Sequence, residues 1–184
     1  MSKPTILIIV GSLRSASINR RLGKALALLG ADRADFAWAD LGSLPLYNQD
    51  QDGAPAAAVS AFREQVRQAD GLLVITPEYN RSVPGVLKNA IDIGSRPYGQ
   101  SVWAGKVGAI CGASPGATGT AMAQQHLRNV LGHLDVDLVR QPEVFLKLDE
   151  ALITEEGQIT NPSTAQFLDG FLGKLLDLVD RQAG

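Results

Sequence analysis

The chain has 184 residues, the length of one globular domain (residues 1–184), and its 45% hydrophobic and 20% charged residues describe a folded chain, not a disordered one. Its 17 basic and 19 acidic residues leave a formal net charge of −2. So small an imbalance offers no electrostatic footprint for nucleic acid or an anionic membrane.

Thr5 to Val10 is a continuous β-branched and aliphatic run, the pattern of a strand buried on both faces. That run is too short for a signal-peptide core and ends in Gly-Ser, and no stretch approaches the roughly 20 apolar residues of a membrane helix. A cytoplasmic location is therefore expected. Ile18 to Leu29 has helical spacing, Asp35 to Trp38 is a short second strand, and Leu41 to Pro55 reads as a long loop. Ala56 to Gln68 returns to helical spacing. Gly71 to Thr76 is the clearest strand, stopped by Pro77, and Pro84 to Ile93 is a helix with proline near its first turn. Lys106 to Ala113 is a fourth strand. It holds the single cysteine, Cys111, whose apolar neighbours predict a buried thiol, and no Cys/His spacing suits zinc. A Gly-rich turn then leads into a helix through Gln125 and Leu131, and Val136 to Val139 is a fifth strand. Pro142 to Thr160 suits either a broken strand or an excursion, and Ser163 to Arg181 is a closing helix. Strands and helices alternating in this way predict an α/β doubly wound parallel sheet with helices on both faces, whose ligands bind beyond the strands' carboxyl ends.

Three such ends carry unusual sequence. The first is Gly11-Ser12-Leu13-Arg14-Ser15-Ala16-Ser17-Ile18-Asn19-Arg20. Free N–H groups at a helix start attract a phosphate dianion, and here hydroxyls, the Asn19 amide and the Arg14 guanidinium add to them. The Walker pattern and the G-x-G-x-x-G fingerprint are both absent from this loop. A helix merely capped by Ser17 remains the alternative on these residues alone. The second loop, Pro77-Glu78-Tyr79-Asn80-Arg81-Ser82-Val83-Pro84-Gly85, joins an aromatic to a proline-stiffened backbone suited to a planar heterocycle such as a flavin. A plain strand-to-helix turn would use the same residues. The third, Gly112 to Gly119, has glycines that allow close backbone approach, and turn-making explains it equally well.

In this order, GSLRSASINR at 11–20, TPEYNRSVPGVLKNAID at 76–92, and ASPGATG leading to QHLR resemble the NADPH-dependent FMN reductase family, the flavodoxin-like branch with bacterial chromate and quinone reductases. The resemblance covers nearly the whole chain. It implies a flavodoxin-like, five-stranded sheet of order 2-1-3-4-5, noncovalent FMN, and NADPH or NADH as co-substrate. It also implies that Arg14, Ser17 and Asn19 hold the phosphate with Ser12 and Ile18 beside them. Pro77, Glu78, Tyr79 and Asn80 would line the isoalloxazine, largely through backbone atoms, and Ser114 would stand near its other edge. Members form homodimers or homotetramers. Several carry an arginine where this chain has Met122, a departure that bears on any charge-based contact there and on the choice between those assemblies.

The chemistry then implied is two-electron transfer from NAD(P)H through the flavin to a small-molecule acceptor, a quinone or a similar compound, with chromate, azo dyes and nitro compounds as further candidates. It needs no acid–base dyad. His126 and His133 read as packing or interface residues, Glu78 as positional, and Arg81 and Arg96 as candidates for contacting the nucleotide. The competing readings are an FMN-binding electron carrier or redox sensor without nicotinamide turnover, and a structural module without flavin. The mild net charge counts against the carrier.

Overall fold

A computed structural model describes residues 3–147 and 151–183. Among them, six strands and five α-helices follow one another: β1 (Thr5–Val10), α1 (Ile18–Leu29), β2 (Asp35–Trp38), α2 (Ala57–Gln68), β3 (Gly71–Ile75), α3 (Gly85–Gly94), β4 (Val107–Ser114), α4 (Ala121–His133), β5 (Asp137–Leu138), β6 (Val144–Lys147) and α5 (Pro162–Ala183). The strands are parallel, in the expected order β2-β1-β3-β4-β5, with β6 also paired to β4. The flavodoxin-like α/β architecture is thus present.

Alternation along the strands sorts the core into two layers. Ile6 and Ile8 of β1 face Leu22, Leu26, Phe171 and Leu175 from α1 and α5. Leu7 and Ile9 face the opposite layer, with Phe62 and Val66 of α2, Leu87 and Ile91 of α3, and Leu127 of α4. Trp103 is fully buried there, donates Nε1–H to the Ile91 carbonyl at 2.9 Å, and meets Phe62 edge-on at 6.0 Å between centroids. Its ring lies where a Cβ on Gly94 would stand. The long loop before α2 is fastened to α3, because Asn89 accepts from the Tyr47 N–H and donates to the Pro45 carbonyl, each at 2.8 Å.

The fifth lane differs from a simple five-stranded expectation. β5 pairs with Val107 and Gly108, whereas β6 pairs with Cys111 to Ser114, so one lane is filled by two short strands. Pro142 lies in the gap and has no N–H for a ladder. Arg128 spans the gap, donating to the Val139 carbonyl at 3.0 Å and standing 3.6 Å from the Glu143 carboxylate. The segment 142–160 is both a broken strand and an excursion. Residues 148–150 lie outside the described residues, and an antiparallel bridge between Ile153 and Ile159 follows them. Lys24 of α1 holds this excursion by donating to the Glu155 carbonyl at 2.7 Å.

At the carboxyl end, β4 runs on past β3. Cys111 accepts from Thr76 N–H on the β3 side, and by the two-residue alternation Ala113 faces the same way. The chain has by then turned off at Pro77. The Asn19 side chain fills the vacancy: its Nδ2 donates to the Ala113 carbonyl at 3.0 Å, and its Oδ1 accepts the Ala113 N–H at 2.9 Å. This amide, only 2% exposed, stands in for a missing residue of β3.

Asn19→Ala should therefore strand two buried backbone groups and lower stability by about 2–4 kcal/mol in urea unfolding. Asn19→Asp should not restore it, because a carboxylate cannot donate to the Ala113 carbonyl; full stability in the aspartate variant would contradict the clamp. Burial also pushes the Cys111 thiol well above its ordinary pKa. The native protein should be inert to a disulfide thiol reagent at pH 8 and release one equivalent only after denaturation.

Candidate functional site

The three loops singled out in the sequence meet at one end of the sheet, following β1, β3 and β4. Gly11 N–H donates to the Ile75 carbonyl at 2.9 Å, drawing the first loop against the second. Room for a Cβ at Gly11 is closed by Leu87 and Pro77. Ser12 and Ser17 are buried, while Leu13, Arg14, Ser15 and Ala16 project outward.

Ser17 is the N-cap of α1 and its Oγ accepts the Arg20 N–H at 3.3 Å. Capping and anion binding are compatible here, since the N–H groups of Ile18 and Asn19 lie in the first turn, where no intrahelical acceptor exists. The Asn19 amide, expected to face a phosphate, is spent on Ala113, so this residue can offer an anion only its backbone N–H. Among the described residues Arg14 has no ion-pair or hydrogen-bond partner, and Arg20 stacks on Trp38 at 5.9 Å from the ring centroid. A hollow of about 300 Å³ flanks the loop, lined by Ser15, Ser17, Arg20, Arg21 and Lys24 with Glu155 opposite. Glu155 occupies Arg21 at 3.3 Å, which leaves Arg14 and Arg20 as cations without a carboxylate.

The second loop contains a tight hairpin. Tyr79 and Ser82 exchange both backbone hydrogen bonds at 3.0 Å, and Asn80 and Arg81 between them have φ of 52° and 65°. These are the angles of a type I′ turn, which asparagine tolerates and arginine adopts only under strain. The turn leaves Tyr79 49% exposed beside the buried Pro77.

The Glu78 carboxylate points away from solvent-facing chemistry. Its Oε2 accepts N–H groups from Met122 at 3.0 Å and Ala123 at 3.1 Å, at the amino end of α4. Ser82 Oγ lies 3.0 Å from His126 Nδ1, and Arg81 reaches the Met122 sulfur at 3.9 Å. Sequence reasoning did not anticipate these links, since 44 residues separate Glu78 from Met122 and Ser82 from His126. Arg96 does not join the loops; it lines a hollow of about 40 Å³ between the 45–52 loop, α2 and the end of α3. That hollow is a poorer cofactor site. Its buried cation, Arg63, already donates to the carbonyls of Ile93, Gly94 and Gln100 at 2.8–3.2 Å.

The third loop is shaped by close approaches. A Cβ on Gly112 would collide with Thr120 Oγ1 and the Thr76 carbonyl, and one on Gly119 with the backbone of Phe145 in β6. Ser114 Oγ accepts the Gly116 N–H at 3.0 Å, setting the loop's first bend.

Comparing the amino ends of α1 and α4, α4 is closed by Glu78, whereas α1 is open and, among the described residues, Arg14 and Arg20 have no carboxylate partner. The donor set therefore fits a phosphomonoester at α1, with the 77–84 and 112–120 loops available to hold a ring system. This is the division of labour that FMN requires.

Comparison with known proteins agrees with the geometry. The family model described as NADPH-dependent FMN reductase matches residues 4–151. A 2-hydroxy-1,4-benzoquinone reductase from Burkholderia sp. is 52% identical over 169 residues, covering 92% of each chain. An NAD(P)H-dependent FMN reductase from Pseudomonas aeruginosa is 43% identical over 182 residues, 97% of each. Among solved structures, a flavoenzyme NAD(P)H:(acceptor) oxidoreductase from Paracoccus denitrificans superposes with a TM-score of 0.94 at 39% identity, over 97% of this chain and 98% of that one. The chain belongs to the NADPH-dependent FMN reductase family.

Proposed function

We propose that this protein is an FMN-dependent NAD(P)H oxidoreductase whose acceptors are quinones, with the net reaction NAD(P)H + H⁺ + quinone → NAD(P)⁺ + hydroquinone. The observation that supports the flavin's placement best is the open amino end of α1 beside the unpaired Arg14, set against the α4 end that Glu78 closes. FMN, when bound, would supply two-electron redox chemistry between the nicotinamide and the acceptor.

The chain's own residues bind and orient. The N–H groups of Ile18 and Asn19, the hydroxyls of Ser12 and Ser17, and the Arg14 guanidinium hold the phosphate. Pro77, Glu78, Tyr79 and Asn80 line one edge of the isoalloxazine through their backbone, with the Glu78 carboxylate itself engaged by α4. Ser114 stands at the other edge. Arg81, fixed against Met122 beside the turn, is better placed than Arg96 to meet a nucleotide. The curated relatives named as quinone reductases support the choice of acceptor; chromate, azo and nitro compounds are further acceptors to test.

Leu13 (61%), Tyr79 (49%) and Met122 (37%) are large apolar side chains exposed on or beside the loops, which supports a homodimer or homotetramer that covers this end of the sheet. Among the described residues no helix is long and apolar enough to cross a membrane. With the buried Cys111 thiol, this supports a cytoplasmic location.

Arg14→Ala should raise the FMN dissociation constant about 10- to 100-fold, the worth of one charge-assisted hydrogen bond, in a fluorescence titration. Unchanged affinity would remove Arg14 from the site. Anaerobic NADPH should bleach the FMN absorbance of the wild type, and a quinone should restore it. Persistent absorbance would favour a carrier or sensor. Light scattering should return a dimer or tetramer mass, and a monomer would count against the covered face.

A further inference from the structure

Glu78 does more than line the second loop. Resting on the reading that the 77–84 turn and the 112–120 loop hold the isoalloxazine, we propose that Glu78 is a positioning residue. It caps α4 directly, sets the distance between the 77–84 turn and the 112–120 loop, and takes no part in proton transfer.

The amino end of α4 lacks a cap of its own. Thr120 occupies the N-cap position with φ 77° and makes no side-chain cap hydrogen bond, and Gly119 before it is also left-handed at φ 56°. A β-branched residue in that region is strained and stays there only when its surroundings hold it. Glu78 supplies what the N-cap residue does not, accepting the second and third N–H groups of the helix on one oxygen, Oε2.

The hold is extended along one face of the helix. Ser82 Oγ meets His126 Nδ1, and Arg81 meets Met122, one turn apart on α4. The helix itself cannot follow the turn, because the fully buried Gln124 ties its first turn to the core, donating Nε2–H to Thr120 Oγ1 at 3.0 Å and to the Val144 carbonyl at 2.8 Å. The 77–84 turn therefore takes its position from α4, and Glu78 is the charged link. A carboxylate whose Oε2 already accepts two helix N–H groups is placed to hold the turn, not to carry a proton.

Both N–H groups reach a single oxygen, so a glutamine amide oxygen can replace it. In the full-length FMN-loaded protein, Glu78→Ala should weaken FMN affinity about tenfold, alter the visible band shape of the bound flavin, and slow its reduction by NADPH about tenfold at saturating FMN. Glu78→Gln should restore all three to within about twofold, and His126→Ala should weaken affinity about threefold. Far-UV circular dichroism identifies any variant that has not folded; if Glu78→Ala is one, the glutamine and His126 variants decide. The proposal is overturned if Glu78→Ala leaves affinity and spectrum unchanged, or if Glu78→Gln keeps its flavin yet reduces as slowly as the alanine variant, the signature of a proton-transfer role. If Arg14→Ala and Glu78→Ala both leave FMN binding untouched, the placement of the flavin fails. Loss in Arg14→Ala alone overturns only the role of Glu78.

Discussion

Parallel strands that end at different heights leave backbone groups without a neighbour, and the use of this molecule depends on how that is resolved at the top of β4. The Asn19 amide completes the sheet where β3 has turned away at Pro77. Because Asn19 lies in the first turn of α1, the same two hydrogen bonds fix the amino end of that helix relative to the start of the third loop. A mobile first loop would present its N–H groups to water in many arrangements. Clamped to β4, it presents them in one, so an anion binding there as proposed would meet donors already in place.

The amino ends of α1 and α4 both lie at the carboxyl edge of the sheet and both attract anions, which creates a choice between them. Glu78 removes it by placing a carboxylate of the protein on α4. The positive end of α4 is thus converted into a structural joint, and that of α1 keeps its attraction for an anion. Arg14 and Arg20 reinforce the difference, since neither has a carboxylate partner among the described residues. The alternation of strands and helices builds the platform. Engaging one helix end in structure and leaving the other open distinguishes the two.

Much of this was legible in the sequence. The bounds of α1 and β2 follow directly from apolar spacing, and the buried runs of β1 and β3 announce a covered parallel sheet. The loops at 11–20, 77–85 and 112–119 stand out because glycine, proline and polar residues gather where strands stop. What the sequence could not show is which polar groups are already taken. The Asn19 amide reads as a phosphate donor, whereas in the fold it is paired with Ala113, 94 residues away, which leaves the backbone N–H of Asn19 for an anion. Glu78 reads as a positional residue of the turn, but its partner, the amino end of α4, is visible only in the fold. Local pattern records what a side chain can do, whereas pairing across the fold decides what is left for a ligand. The split fifth lane was half visible: Pro142 marked a break, but a four-residue run such as Val144–Lys147 has no period long enough to declare itself a strand.

That split has a consequence beyond the site. A long, flat outer strand presents a row of unpaired N–H and C=O groups that can recruit another chain and start aggregation. Here the outer lane beyond β4 is cut into pieces of two and four residues, with Pro142 in the gap and Arg128 gripping both sides of it. At the opposite margin β2 has only four residues. Neither margin offers a continuous template for a stray strand, so the sheet can stay open at both sides without inviting growth.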